Sequence, residues 1–153
     1  MKESKYMKKE LKEKDVLIFL QKVDKDFPTS LSKKQDLSIY ANKLYMKATI
    51  MIKKDGDQIV SLVAGYINNV ENQLGYISVV ATLPNYRGQG IAAKLIRRFL
   101  EEAKSKGLDG VHLYTDKTNT KALNMYRTLG FVSYIIPDET RPEDSHLIYY
   151  INK

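Results

Sequence analysis

The sequence contains no cysteine and only two histidines in 153 residues. Without cysteine there is no disulfide, no thiolate metal site and no cysteine nucleophile. With only His112 and His146, a histidine-built metal site is disfavoured, and no metal is expected. No stretch approaches the ~20 consecutive apolar residues of a membrane span, so no membrane partner is expected. Residues 1–14 lack the apolar segment that a signal peptide needs. Together with the missing cysteine, this suits a cytoplasmic location. Internal repeats, low-complexity tracts and interdomain linkers are absent too. The length suffices for one core and is short for two, so residues 1–153 are expected to form a single domain.

Positive charge is what the chain has in excess. The net charge is +7, on a background of 43% apolar and 28% charged residues. Such a composition belongs to a globular domain with anionic partners. Lys2, Lys5, Lys8, Lys9, Lys12 and Lys14 alternate with Glu3, Glu10 and Glu13, which reads as a solvated helix face or tail. No helix-turn-helix, finger spacing or aromatic RNA-binding signature accompanies them, so nucleic acid is not the expected partner.

Periodicity orders the rest. Leu11, Val16, Leu17, Phe19, Leu20 and Val23 suit an amphipathic helix over 10–26, ending before Pro28. Residues 29–35 read as a loop, and 36–47 as a second helix through Leu37, Tyr40, Ala41, Leu44 and Tyr45. Strands follow at 49–53 and 58–67, joined at Asp55-Gly56, a hairpin signal. After a polar turn at 68–73, residues 75–83 form a third strand, stopped by Pro84. A helix at 88–106, a strand at 110–115, a helix at 119–129 and strands at 131–136 and 146–151 complete the order. A strand–helix–strand crossover in the middle implies one parallel pair inside a mostly antiparallel sheet.

Between the third strand and its helix lies Tyr86-Arg87-Gly88-Gln89-Gly90-Ile91-Ala92. A glycine turn at a helix start leaves backbone N–H groups unpaired at the positive end of the helix dipole, where phosphate commonly binds. The same turn also occurs with no ligand. A dinucleotide fingerprint is excluded because residues 88–93 lack its third small residue at the required spacing, and the mixed sheet disagrees with it. A P-loop is excluded because no Gly-Lys-Ser/Thr follows.

A second segment, about 30 residues on, runs Asn119, Ala122, Tyr126 and Leu129-Gly130-Phe131. With Arg87-Gly88-Gln89-Gly90-Ile91-Ala92 it forms two ordered motifs, and in these the chain resembles the GNAT family of N-acetyltransferases. The resemblance is clear over residues 48–136, while 1–47 match only in being helical. It implies a mixed α/β fold with a mostly antiparallel sheet, one parallel pair splayed around a coenzyme A cleft, and helices on both faces. It implies acetyl-CoA as co-substrate, an amine as acceptor and direct transfer in a ternary complex. Residues 48–136 would bind acetyl-CoA, 1–47 would shape the acceptor site, and 137–153 would be a loop and final strand. A homodimer is compatible with this reading.

By that resemblance, Arg87, Gly88, Gln89, Gly90, Ile91 and Ala92 would hold the pyrophosphate. The two glycines would let the backbone approach where a Cβ hinders it. Val80, Ala81 and Thr82 would pair with pantetheine, and one of their N–H groups would stabilise a developing oxyanion. Asn119 would touch the pantetheine amide, or simply cap its helix. Tyr126 would be the general acid that protonates the departing thiolate, or would simply pack. Lys121, Arg97 and Arg98 would reach a 3′-phosphate or stay solvated. Tyr40, Tyr45, Tyr66 and Tyr134 would line an acceptor pocket or serve the core.

One departure matters. Many members carry a glutamate base on the strand before the turn, and Tyr76-Ile77-Ser78-Val79-Val80-Ala81 has no carboxylate, with Ser78 near that place. A water chain, Glu71, Asp116 or the acidic loop 137–144 remain as proton acceptors. A CoA-binding module without catalysis, and a basic nucleic-acid binder on this scaffold, are the competing functions.

Overall fold

In the computed structural model, which describes residues 11–68 and 70–152, the first helix is α1 (Glu13–Val23). Val16, Phe19, Leu20 and Val23 recur three and four residues apart on it, and all are buried. Most of the lysine-rich stretch read as a solvated face lies outside the described residues. The expected loop at 29–35 instead contains a short helical turn, α2 (Leu31–Lys34). Asp24 holds that turn, since its carboxylate accepts from the Ser32 N–H and hydroxyl, both at 2.7 Å. Helix α3 (Leu37–Lys47) starts where the Asp36 side chain accepts from the N–H groups of Ser38 and Ile39.

The strands are β1 (Thr49–Asp55), β2 (Gln58–Tyr66) and β3 (Leu74–Thr82), followed by α4 (Ile91–Ser105), β4 (Gly110–Asp116), α5 (Thr120–Leu129), β5 (Val132–Ser133) and β6 (Asp144–Tyr150). They form one sheet in the order β1-β2-β3-β4-β6-β5. Only β3 and β4 run parallel, linked by the α4 crossover. The fold is thus the mixed sheet with helices on both faces that the sequence implies. Among the described residues no helix is long and apolar enough to cross a membrane.

Each face has its own core. Helices α1 to α3 bury Val16, Leu20 and Leu44 against Ile50, Ile52, Leu62 and Val79. Helices α4 and α5 bury Leu95, Phe99 and Leu123 against Met51, Val63, Ile77, Val111 and Leu113. Full burial of each large apolar side chain stabilises by about 1.5–3 kcal/mol.

A bulge in β3 sets up everything functional. Ala64 of β2 pairs with Val79 and Gly65 with Ile77, so Ser78 is the unpaired extra residue. The alternation of faces slips there, and Ile77 and Val79 end up in different cores. Beside the bulge, a Cβ on Gly65 would lie 2.3 Å from the Tyr76 carbonyl oxygen and 2.7 Å from Phe99 Cζ, so no other residue fits. Pairing of β3 with β4 runs over Leu74–Gly110, Gly75–Val111 and Tyr76–His112, then stops. Beyond Tyr76 and His112 the parallel strands splay.

The strand expected at 131–136 shrinks to Val132–Ser133. Phe131 turns inward against Tyr126 and Tyr149, and Pro137, which lacks an N–H, cannot prolong a ladder. Strand β6 begins earlier than expected because Asp144 and Ser145 still pair with Asp116 and Thr115 of β4.

Candidate functional site

The glycine turn opens α4 as the sequence suggests, but the helix starts at Ile91 rather than at 88. Gly88 and Gly90 both adopt φ +77°, and nothing lies within 4 Å of a Cβ built on either. Their immediate requirement is thus the left-handed backbone, with no crowding from the rest of the chain. Gly90 is the N-cap and no side chain caps the helix. The first-turn N–H groups are therefore left to solvent or to an anion. Arg87 is partly committed inside the protein: Nε donates to the Thr82 carbonyl at 2.9 Å and the Nη2 group pairs with Asp26 at 2.8 Å. It ties the turn to the end of β3 and to the segment after α1. Gln89 and Ala92 sit at the same turn, exposed and half-buried respectively.

Val80, Ala81 and Thr82 pair with Val63, Leu62 and Ser61 of β2 on one edge. Their other edge faces the splay and has no strand partner among the described residues. An extended ligand could therefore add to this edge as a strand would.

Across the opening stands α5. Asn119 is its N-cap, its Oδ1 accepting from the Ala122 N–H at 3.3 Å. Tyr126 is buried, edge-on to Phe131 with centroids 5.5 Å apart. Its hydroxyl has no hydrogen-bond partner among the described residues, and burial pushes the phenol well above its ordinary pKa. It therefore stays protonated at neutral pH. Both readings of Tyr126 keep their physical basis, because it packs in the core and also holds a proton to give.

The opposite face of the splay carries a cluster that sequence reasoning largely missed. Tyr40 and the bulge residue Ser78 share a 2.5 Å hydrogen bond. The Tyr66 hydroxyl is buried with no hydrogen-bond partner among the described residues. His112 Nδ1 lies 2.8 Å from His146 Nε2, and His146 Nδ1 lies 3.0–3.1 Å from the Glu139 carboxylate. The Tyr114 hydroxyl donates to Glu139 at 2.5 Å, and its ring stacks on His146 at 4.0 Å. Tyr76 and Tyr134 flank His112 at 5.1 and 6.2 Å between ring centroids. Burial, and then His146, lower His112 to a pKa of about 4. Glu139 is held below the usual carboxylate value, first by the Tyr114 hydroxyl. Burial and Glu139 push Tyr114 up to about 12.

The structure also sorts the proton acceptors left open. Glu71 is exposed in the turn before β3, at the far end of that strand from the splay. Asp116 is occupied, accepting from the Thr118 N–H and hydroxyl at 2.8 and 2.6 Å. Of the acidic loop, Glu139 alone reaches the histidines among the described contacts. Tyr45 packs at the edge of the α1–α3 core, and Lys121 and Arg97 are exposed on α5 and α4.

Comparison with known proteins agrees with this architecture. The model of the acetyltransferase (GNAT) family matches residues 17–131. N-alpha-acetyltransferase 30 of Schizosaccharomyces pombe is 42% identical over 60 residues, which are 39% of this chain and 40% of that protein. The thialysine N-epsilon-acetyltransferase of Mus musculus is 34% identical over 86 residues, covering 52% of this chain and 51% of that protein. The chain thus spans about half or less of these curated relatives. A GNAT-family acetyltransferase structure from Staphylococcus aureus Mu50 superposes with a TM-score of 0.74 at 15% identity, covering 92% of this chain and 93% of that one.

Proposed function

The chain belongs to the GNAT acetyltransferase family, and from that premise we propose that it transfers the acetyl group of acetyl-CoA directly to an amine. The observation that carries this reading is the splay of β3 from β4 just past Tyr76–His112, beside a bulge at Ser78. It leaves an unpaired strand edge running toward the uncapped N-terminus of α4. Bound acetyl-CoA would supply the activated acyl thioester. Residues 87–92 would hold its pyrophosphate through backbone N–H groups, and Val80, Ala81 and Thr82 would pair with its pantetheine arm. Asn119, as cap of α5, would fix that helix beside the cleft. Tyr126, packed in the core on the α4–α5 face, would protonate the leaving thiolate. The acceptor would approach from the other face, among Tyr40, Tyr66, Tyr76 and Tyr114. Residues before β1 shape that approach, and residues 48–136 serve the donor. A chain without cysteine suits the cytoplasm.

The test is thiol release from acetyl-CoA over a panel of amines, amino sugars, amino acids and peptides. The proposal expects acceptor-dependent release with at least one class. Calorimetric binding of acetyl-CoA with no release for any acceptor would mean a CoA-binding module without catalysis.

A further inference from the structure

We propose that His112 is the base of this reaction, taking the proton of the acceptor ammonium, and that His146 and Glu139 carry it onward to solvent. The inference rests on the transferase reading and deepens it at the one role that β3 leaves vacant.

The hydrogen bonds admit one polarity that serves a base. Glu139 accepts from the Tyr114 hydroxyl, which holds its carboxyl below the usual range, and as a carboxylate it accepts from His146 Nδ1–H. The relay requires His146 to hold a single proton, on Nδ1, which leaves its Nε2 bare. That atom lies 2.8 Å from His112 Nδ1, and in the relay it accepts from the Nδ1–H there. His112 is left with a lone pair on Nε2, the form a base requires. In the relay one carboxylate thus sets the tautomers of both rings.

Position supports the role. His112 is the last β4 residue paired with β3, at the vertex of the splay, and its register partner is Tyr76. It lies on the sheet face opposite Val111 and Leu113, which pack with Tyr126. Base and acid therefore stand on opposite sides of the opening. Around His112 stand Tyr76 from β3, Tyr114 on its own strand, Tyr134 after β5 and His146 from β6. Glu139 and Arg141 belong to the loop before β6. The Arg141 guanidinium lies 3.8 Å over the Tyr114 ring and bonds Asp144 at 3.4 Å. The depressed pKa of His112 keeps the ring neutral at working pH and means that it passes the proton on.

The step balances. An N–H bond of the ammonium breaks as one forms at His112 Nε2. The His112 Nδ1 proton moves to His146 Nε2, and the His146 Nδ1 proton to Glu139. Glu139, with 22% of its side chain exposed, releases it to water. One proton travels from ammonium to solvent, nothing changes oxidation state, and the amine lone pair is freed for attack; both rings end protonated on Nε2, and proton exchange with water returns them to the Nδ1 form before the next turnover.

Two measurements test this. Nitrogen-15 NMR of the wild-type protein between pH 6 and 8 should show His112 protonated on Nδ1 with a bare Nε2. A His112 proton on Nε2 would overturn the relay without reference to activity. The second is the pH profile of thiol release with the best acceptor of the screen above. His112→Gln should lower kcat about 100-fold at pH 7 and progressively less toward pH ~10, where a lysine-type amine loses its own proton. KM for acetyl-CoA should stay unchanged. His146→Asn and Glu139→Gln, which alter positioning residues, should show smaller losses with the same convergence at high pH. Wild-type release with a His112→Gln profile parallel to it at every pH would sink the relay alone. No release from wild type with any acceptor would remove the transferase reading and the relay together.

Discussion

The hydroxyls of Tyr126 and Tyr66 find no hydrogen-bond partner among the described residues, and each can be tested by removing one oxygen. Tyr126 packs on Phe131 with its hydroxyl unpartnered among the described residues. A hydroxyl that makes no hydrogen bond within the protein stabilises the fold little, so Tyr126→Phe should leave the urea midpoint nearly unchanged. If Tyr126 is the acid, the same variant should lose about 10²–10⁴-fold in kcat with acetyl-CoA affinity intact. Unchanged turnover would reduce Tyr126 to packing. Tyr66 carries the other orphan hydroxyl, on the acceptor face. Tyr66→Phe should stabilise by roughly 1 kcal/mol. If the acceptor uses that hydroxyl, its KM should rise while KM for acetyl-CoA stays constant. An unaltered acceptor KM would place the acceptor elsewhere on this face.

At the scale of elements, the bulge and the glycine turn divide the work of shaping the cleft. Gly65→Ala would press a methyl against the Tyr76 carbonyl and the Phe99 ring, so it should destabilise by about 3 kcal/mol, at the upper end of overpacking. Urea denaturation would show it, and a midpoint near wild type would mean that the bulge adjusts freely. Gly90 differs, because space is open there and only the positive φ resists substitution. Gly90→Ala should carry a backbone penalty of about 1–2 kcal/mol and weaken acetyl-CoA binding, with Gly90→Asn milder on both counts. Normal affinity in Gly90→Ala by calorimetry would mean that the turn is not the phosphate site. This contrast also shows what a single sequence makes legible. Elements with local signals were readable: the Asp55-Gly56 hairpin, the Leu95–Phe99 helix face and the glycine turn itself. The family resemblance implies a bulge in this strand, but its position was not readable, since Ser78 looks like any strand residue until the register with β2 is known. The histidine cluster stayed hidden for the same reason. His112 and His146 are 34 residues apart, and only the Tyr114–His146 pairing brings them together.

For the whole molecule, the same cluster should be visible in how stability depends on pH. His112 binds its proton at about pH 4 in the fold, against about 6.5 in an unfolded chain. The unfolded state therefore holds more protons between these values, and folding stability falls as pH drops from 6.5 to 4. The ring is only half withdrawn from water, so the loss should be about 1–2 kcal/mol, below the full linkage value. Below pH 4 a second decline follows. Glu139, Asp24, Asp36 and Asp116 all have depressed carboxyl values, set first by side-chain hydrogen bonds from Tyr114, Ser32, Ser38 and Thr118. Their contribution is present above the unfolded carboxylate range and disappears as pH falls through the folded values. Urea midpoints at pH 7, 5 and 3.5 should thus descend in two steps in wild type. In His112→Gln the step from 7 to 5 should flatten while the step below 4 remains. A wild-type midpoint constant from pH 7 to 5 would mean that His112 is as easily protonated in the fold as in the unfolded chain. The bare Nε2 of His112 would then not persist across the acid half of that range.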